Sequence, residues 1–385
     1  MFLVKLIFRN AFRHKLRTSL TVAGVAIAVL AFGLLKTLVA AWYLGVESSS
    51  SSRLITRNAI SLVFSLPLSY REKIRQVPGV TAVSYANWFG GVYITEKNFF
   101  PNFAVDAATY LDLYPEFVLP AEQKKAFILD RKACVVGRNI AARFGWKVGD
   151  TVVLKGTINP GDWEFVVRGI YRGAEKSTDE TQFFFHWDYW NEVMKKTIPR
   201  RANMVGVYVV GLANPDMAAQ VSLAIDGMFR NSLAETMTET ERAFQLSFVS
   251  MTEAIVIAIR IVSYVVIVII MVVAANTMAM TARERIAEYA TLKTLGFSAR
   301  HVAGVVFGES LVIAMTGGVL GVALSFPAAQ WLGQKLSQFI PVFRIAPETI
   351  ALDLLAAFVI GAVAGLFPTW RGSTINIADG LRRIA

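Results

Sequence analysis

Hydrophobic positions along this chain fall into two regimes. Four stretches are apolar on every side, and one long region between the first two alternates apolar and polar residues at strand and helix spacings. The first apolar stretch runs from about Ser19 to Gly45, broken only by Lys36, and the second from about Ala254 to Thr281, with Arg260 near its start. The third covers about Val302 to Leu332 and the fourth about Ile350 to Phe367. Each is long enough for a hydrocarbon core of ~30 Å, which takes about 20 helical residues. The first is also about twice the usual apolar length of a cleaved leader, so it reads as a retained span.

The pattern predicts a membrane α-helical protein with four transmembrane helices and a large α+β extracytoplasmic domain between helices 1 and 2. In boundaries: a basic amphipathic segment 1–18, spans at 19–45, 254–281, 302–332 and 350–367, the domain 46–253, a loop 282–301, a short outer loop 333–349 and a tail 368–385. Within the domain, Asn58–Ser65 reads as a strand, followed by a Leu68-Ser69 cap and a helix that stops at Pro78-Gly79. Val80–Tyr85 reads as a strand, and near the other end so does Met204–Leu212, with a helix opened by Asn214-Pro215-Asp216 and running to about Phe229. One layer built from both ends is implied, with the middle inserted as a second lobe. That lobe holds a strand at Ala133–Val136, a helix Gly137–Phe144, and strands Thr151–Leu154 and Glu164–Tyr171. The five serines Ser48–Ser52 suggest either a flexible joint or a solvated helix end. A dense set of aromatics (Phe99, Phe100, Phe103, Phe183–Phe185, Trp187, Tyr189 and Trp190) reads as core packing with parts near the membrane surface, or as an apolar surface for a hydrophobic ligand or partner protein.

Composition agrees with a membrane protein. Of 385 residues 55% are hydrophobic and 17% charged, against about 25% charged in soluble domains, and mean hydropathy is +0.48. Disorder, collagen, coiled coil and a disulfide scaffold are excluded, since Cys134 is the single cysteine. The net charge of +11 is not spread evenly: residues 46–252 hold 23 basic and 21 acidic groups, so +9 lies at and around the spans. Twelve of those basic residues precede span one, lie between spans two and three, or follow span four; only Lys335 and Arg344 lie between spans three and four. This asymmetry places both termini and the 282–301 loop in the cytoplasm, and nucleic-acid binding is not needed to explain the charge.

The search for catalytic chemistry returns little. No G-x-x-x-x-G-K-[ST], H-E-x-x-H or G-x-S-x-G occurs, and His14, His186 and His301 are too scattered to share a site. His186 reads as an ordinary loop histidine, and Tyr85–Gly91 as a strand ending in a glycine turn. No cofactor, metal or catalytic residue is therefore expected in this chain, and a membrane-anchored enzyme is disfavoured. Lys36 and Arg260 fall where snorkelling explains them. Glu309 and Asn276 lie at comparable depth, and a hydrogen bond between them or across a dimer is expected. Gly317-x-x-x-Gly321 and Gly361-x-x-x-Gly365 predict close helix packing.

The stretch Thr281–Gly296 carries the most information. Thr281 and Glu284 have capping-box spacing, and Gly296 stops the helix. Arg283, Glu284, Arg285, Glu288 and Lys293 make one charged face, with Ile286, Tyr289, Ala290 and Leu292 apolar. A helix of about 13 residues, tied at both ends to membrane helices, would pass the motion of a soluble partner straight into the bundle.

These residues resemble the FtsX/MacB-type permeases of ABC transporters, the type VII group that includes lipoprotein-releasing permeases. Arg9–Thr18 resembles that family's basic approach to span one, Val77–Val83 its helix-to-strand join, and Arg283–Gly296 its coupling loop. Pro368–Arg371 through Ala378–Arg382 resembles its basic tail, with Asp379-Gly380 where the family has Pro-x-Glu-Ala. The resemblance implies an inner-membrane subunit and a periplasmic domain of Porter and Sabre type. Its partners would be two copies of a separate cytoplasmic ATPase, which bind ATP and Mg, a second permease copy, and a periplasmic adaptor or outer-membrane channel. It implies mechanotransmission that drives export or extraction of a substrate, or, alternatively, a signalling module that activates an envelope hydrolase or sensor. Arg283, Glu284, Arg285, Glu288 and Lys293 are the expected ATPase-facing contacts.

Overall fold

The computed structural model describes residues 2–47, 49–175, 177–336 and 342–374. The residues 375–385, with the Ala378–Arg382 match, lie outside them. The described residues form two compact units, one of residues 2–42, 252–335 and 343–374 and the other mainly of the segment 43–251. In chain order, amphipathic helix α1 (Phe2–Ala11) is followed by α2 (Lys15–Glu47), whose 33 residues span about 50 Å at 1.5 Å each.

The unit between the first two spans is built on strands β1 (Arg53–Asn58), β2 (Leu66–Pro67), β3 (Val80–Trp88), β4 (Gly91–Tyr93), β5 (Asn102–Val105) and β6 (Phe117–Val118). They continue with β7 (Ala133–Gly137), β8 (Thr151–Gly156), β9 (Gly161–Gly173), β10 (Phe183–His186), β11 (Met204–Val205), β12 (Val207–Leu212) and β13 (Thr236–Thr240). The helices are α3 (Tyr70–Arg75), α4 (Tyr110–Leu113), α5 (Ala121–Leu129), α6 (Arg138–Phe144), α7 (Trp187–Thr197), α8 (Ala218–Met228) and α9 (Glu241–Met251). The main sheet runs β13-β1-β12-β3-β5-β10-β7-β9-β8-β4. Strands from the two ends of the segment do share one half, as the pattern implied. The inserted middle is not set apart, however: β3 pairs β5 through Ala86–Trp88, so both halves form one continuous sheet.

Both faces of that sheet are covered, which explains its unbroken apolar runs. In β7 and β10, Cys134, Val136, Phe183 and Phe185 enter the core under α3, α6, α7 and α8, while Ala133, Val135 and Phe184 enter the core under α4 and α5. Phe100, Phe183–Phe185, Trp187 and Trp190 are buried, so this aromatic density is core.

Several expectations needed correction. The strand predicted at Asn58–Ser65 lies earlier, at Arg53–Asn58, and Ile60, Val63 and Phe64 are exposed in the loop that follows. The reason is that β1's polar residues find partners on β13, at the start of α9 and just before β6. Arg53 pairs with Glu241 and Glu116, Thr56 meets Thr238, and Arg57 meets Glu239. Asn58 then turns the chain by accepting from Ile60 N–H. The single strand expected over Met204–Leu212 is broken at Gly206 into β11 and β12. His186 is the buried last residue of β10, bonded to the Phe127 carbonyl, and not a loop residue. At the serine joint, Ser50 N–H donates to Glu241, and Ser52 accepts from Leu212 N–H, so these serines are tied into the sheet.

The remaining helices are α10 (Glu253–Glu284), α11 (Ile286–Thr294), α12 (Ala299–Leu336) and α13 (Pro347–Thr374). Four helices (α2, α10, α12 and α13) are long and apolar enough to cross a membrane. Small residues set their packing. A Cβ at Gly317 would stand 2.8 Å from the Val22 carbonyl, and one at Gly321 2.6 Å from the Ala26 carbonyl, so α12 lies directly on α2. Gly361 and Gly365 lie on Leu311, Ala314 and Ser310, so α13 packs on α12.

Candidate functional site

The connection from α10 to α12 is where sequence and structure part most. α10 runs through the expected cap: Thr281 sits inside the helix, its hydroxyl donating to the Thr277 carbonyl. The chain turns at Arg285, and the connecting helix is nine residues long, not about 13. Gly296, at φ +92°, ends it in the left-handed conformation that glycine tolerates. Ser298 Oγ then meets His301 Nδ1 at the start of α12.

Arg285 decides this geometry. Its side chain is 7% exposed and points into the bundle, where Nη1 donates to Glu309 Oε2 at 2.6 Å and Nε donates to Glu288 Oε2 at 2.9 Å. Burial disfavours the charged guanidinium, but the charge of Glu309, the nearby Tyr289 and the hydrogen bonds to Glu309 and Glu288 together outweigh that penalty and hold Arg285 protonated. Glu288 in turn accepts from Arg13 Nη1 at 2.6 Å on its other oxygen. Burial pushes the Glu288 carboxyl up, yet Arg285 and then Arg13 together hold it below the usual range. The result is a line of alternating charges, Arg13–Glu288–Arg285–Glu309, from the α1–α2 turn through α11 into α12. A second clamp lies beside it: Arg17 grips Glu284 with both guanidinium nitrogens, at 2.5 and 2.9 Å.

Tyr289 and Ala290 bury the other side of α11 with Ala282, Val302 and Val306. Lys293 Nζ donates to the Ser373 carbonyl near the end of α13, and Gly372 lies against Tyr289. α11 therefore touches three of the bundle's elements. Its outward surface is left to Arg283, Thr291, Thr294, Leu295 and Arg300, with Leu295 71% exposed.

The five predicted contacts are thus not one face. Arg285 is buried, Glu284 and Glu288 are held by Arg17 and Arg13, Lys293 reaches α13, and Arg283 alone of them is exposed without an ion pair among the described residues. The expected bond between Glu309 and Asn276 within the chain does not form, because Glu309 takes Arg285 and Asn276 is exposed. The roles of Arg13, Arg17 and Glu309 were missed. A signal was present, since Arg13 and Arg17 are four residues apart, as are Glu284 and Glu288, a spacing that aligns charges on helical faces.

Comparison with known proteins was decisive. Residues 18–227 match the model of the MacB-like periplasmic core domain, and residues 260–377 match that of the FtsX-like permease C-terminal region. The chain belongs to the MacB-like ABC transporter permeases. An uncharacterized ABC transporter permease of Methanocaldococcus jannaschii is 24% identical, over 97% of this chain and 96% of that one. The macrolide export ATP-binding/permease protein MacB 1 of Yersinia pestis strain Antiqua is 31% identical over 110 residues. That match covers 28% of this permease but 16% of the relative. Among solved structures, the extracellular domain of the YknZ transporter from Gram-positive bacteria aligns at TM-score 0.36 and 11% identity, over 49% of this permease and 98% of that chain. The periplasmic region of MacB from Actinobacillus actinomycetemcomitans aligns at TM-score 0.37 and 10% identity, over 53% and 95%.

Proposed function

We propose that this permease couples ATP hydrolysis by a separate cytoplasmic ATPase to movement of its periplasmic domain, driving export or extraction of a substrate from the periplasmic side. The observation that carries the reading is the α10–α11–α12 connection: Arg13–Glu288 clamps the short helix α11 to the α1–α2 turn, Arg17–Glu284 clamps the end of α10 to α2, and Arg285–Glu309 locks the α10–α11 corner to α12. A force applied to its outward surface reaches the bundle without slack. That surface, Leu295 with Arg283 and Arg300, is the part we assign to the ATPase. In this reading ATP and Mg are bound by two ATPase copies, two permease copies pair, and the termini are cytoplasmic at the inner membrane. An adaptor or outer-membrane channel completes the system.

The test is a mild-detergent pull-down of the tagged full chain with an ATPase assay, for wild type and Leu295→Glu. Recovery of a P-loop ATPase near 1:1 with wild type, and at least ten-fold less with the variant, is expected. A purified permease that recovers no ATPase from membranes where its own operon partners are expressed refutes the reading. An ATPase found together with a murein hydrolase, and no channel, favours the signalling role.

A further inference from the structure

One acid of the bundle takes no part in the α11 network. Asp353 lies on α13, six residues past its start, roughly 9 Å along the helix. It is 0% exposed, and neither carboxyl oxygen has a hydrogen-bond partner among the described residues. The carboxyl rests on Gly33 of α2, where a Cβ would come within 2.5 Å of Oδ2. The next positions on the same face of α13, Ala357 and Gly361, are small and apolar, as helix contact alone requires. A carboxyl is the wrong group for such a contact unless it does something else.

Charged groups on the packed helices do not reach it. Arg260 on α10, Lys335 on α12 and Glu348 on α13 are exposed, and the described residues show no ion pair to Asp353 from them or from Lys36 on α2. An ionised carboxylate enclosed without a partner is too costly to keep, so this packing belongs to the neutral acid. Lys36 stands three residues beyond Gly33, about 4.5 Å further along α2 and about 60° round from it. Turning and sliding α2 by that amount exchanges Gly33 for Lys36 opposite the carboxyl. One turn outward, Thr37 and Thr349 are both buried on the two helices at positions i+4 from Gly33 and i−4 from Asp353. The Thr37 hydroxyl donates to the Gly33 carbonyl, so polar side chains flank the carboxyl on its outer side in an otherwise apolar contact.

We propose that Asp353 is a proton-binding site, occupied while its carboxyl lies over Gly33 and vacated when α2 turns to set Lys36 against it. The proton leaves the carboxylic acid for water at the outer end of the bundle, and the Lys36 ammonium supplies the counter-charge. The packing of α2 on α13 is then linked to proton concentration, independently of what drives the helices.

The test uses the full chain in lipid nanodiscs with dicyclohexylcarbodiimide, an apolar reagent that modifies protonated carboxyls, and peptide mass spectrometry across a pH series. Asp353 should be modified at pH 6, and modification should fade as pH rises. Lys36→Met should move the fading upward by one pH unit or more, a ten-fold tighter hold on the proton, while Lys36→Arg keeps the wild-type profile. Asp353→Asn must remove the label. An Asp353 left unmodified at pH 6 overturns the site. A Lys36→Met profile superimposed on wild type overturns the exchange with Lys36.

Discussion

Replacing Arg285 by Met tests the lock between α11 and α12. The substitution leaves the Glu309 carboxylate in place without its donor at 2.6 Å, and its other oxygen already has no partner. At that distance and an effective dielectric of ~20, the gross attraction is about 6 kcal/mol, most of it offset by taking two ions out of water. The intact pair therefore adds little net stability, but breaking one side should cost about 3–5 kcal/mol because the side chains are only 7% and 8% exposed. Glu309→Gln should cost less, about 1–3 kcal/mol, since Arg285 keeps Glu288 at 2.9 Å. The double variant Arg285→Met with Glu309→Leu removes both charges and should recover most of the loss. Thermal unfolding of the purified permease in one detergent, followed by intrinsic fluorescence, should rank wild type and the double variant above Glu309→Gln, and Arg285→Met lowest. With Glu309→Leu also measured alone, a double variant whose loss equals the sum of the Arg285→Met and Glu309→Leu losses shows that the pair is not coupled and the lock is not there.

Two further outcomes follow from the same geometry. Glu284→Lys should cost no more than about 1 kcal/mol, since the Arg17 pair is partly exposed, while Glu288→Lys also sets a cation against the buried Arg285 and should cost about 3–5 kcal/mol; together they should uncouple ATP hydrolysis from function. Normal transport-linked activity in that variant refutes the role of the clamp. Gly361→Ile with Gly365→Ile forces side chains into Leu311, Ala314 and Ser310, and should lower the unfolding temperature through about 1–3 kcal/mol of overpacking at each site. An unchanged melting profile counts against the α12–α13 contact.

The spans, the α+β domain and the position of the connecting helix were all legible because each rests on a local property. A run of apolar side chains has to leave water, a glycine permits a left-handed stop, and an alternation of two has to form a half-buried strand. Strand β1 was misplaced for the opposite reason: Arg53, Arg57 and Asn58 look solvent-facing until Glu241, Glu116 and Glu239 arrive from residues far along the chain. The same holds at α11. Its sequence shows five charges at helical spacing, but whether a charge faces water or a buried partner depends on Arg13, Arg17 and Glu309, placed by the packing of α1, α2 and α12. Asp353, a lone acid in the fourth span, was passed over in the sequence, and only the fold shows it enclosed against Gly33 without a partner among the described residues. What the sequence by itself determined was which segments leave water and where helices stop. Which charges meet was decided by tertiary structure, because a Coulomb partner is chosen by distance in space and carries no signature in the residues beside it.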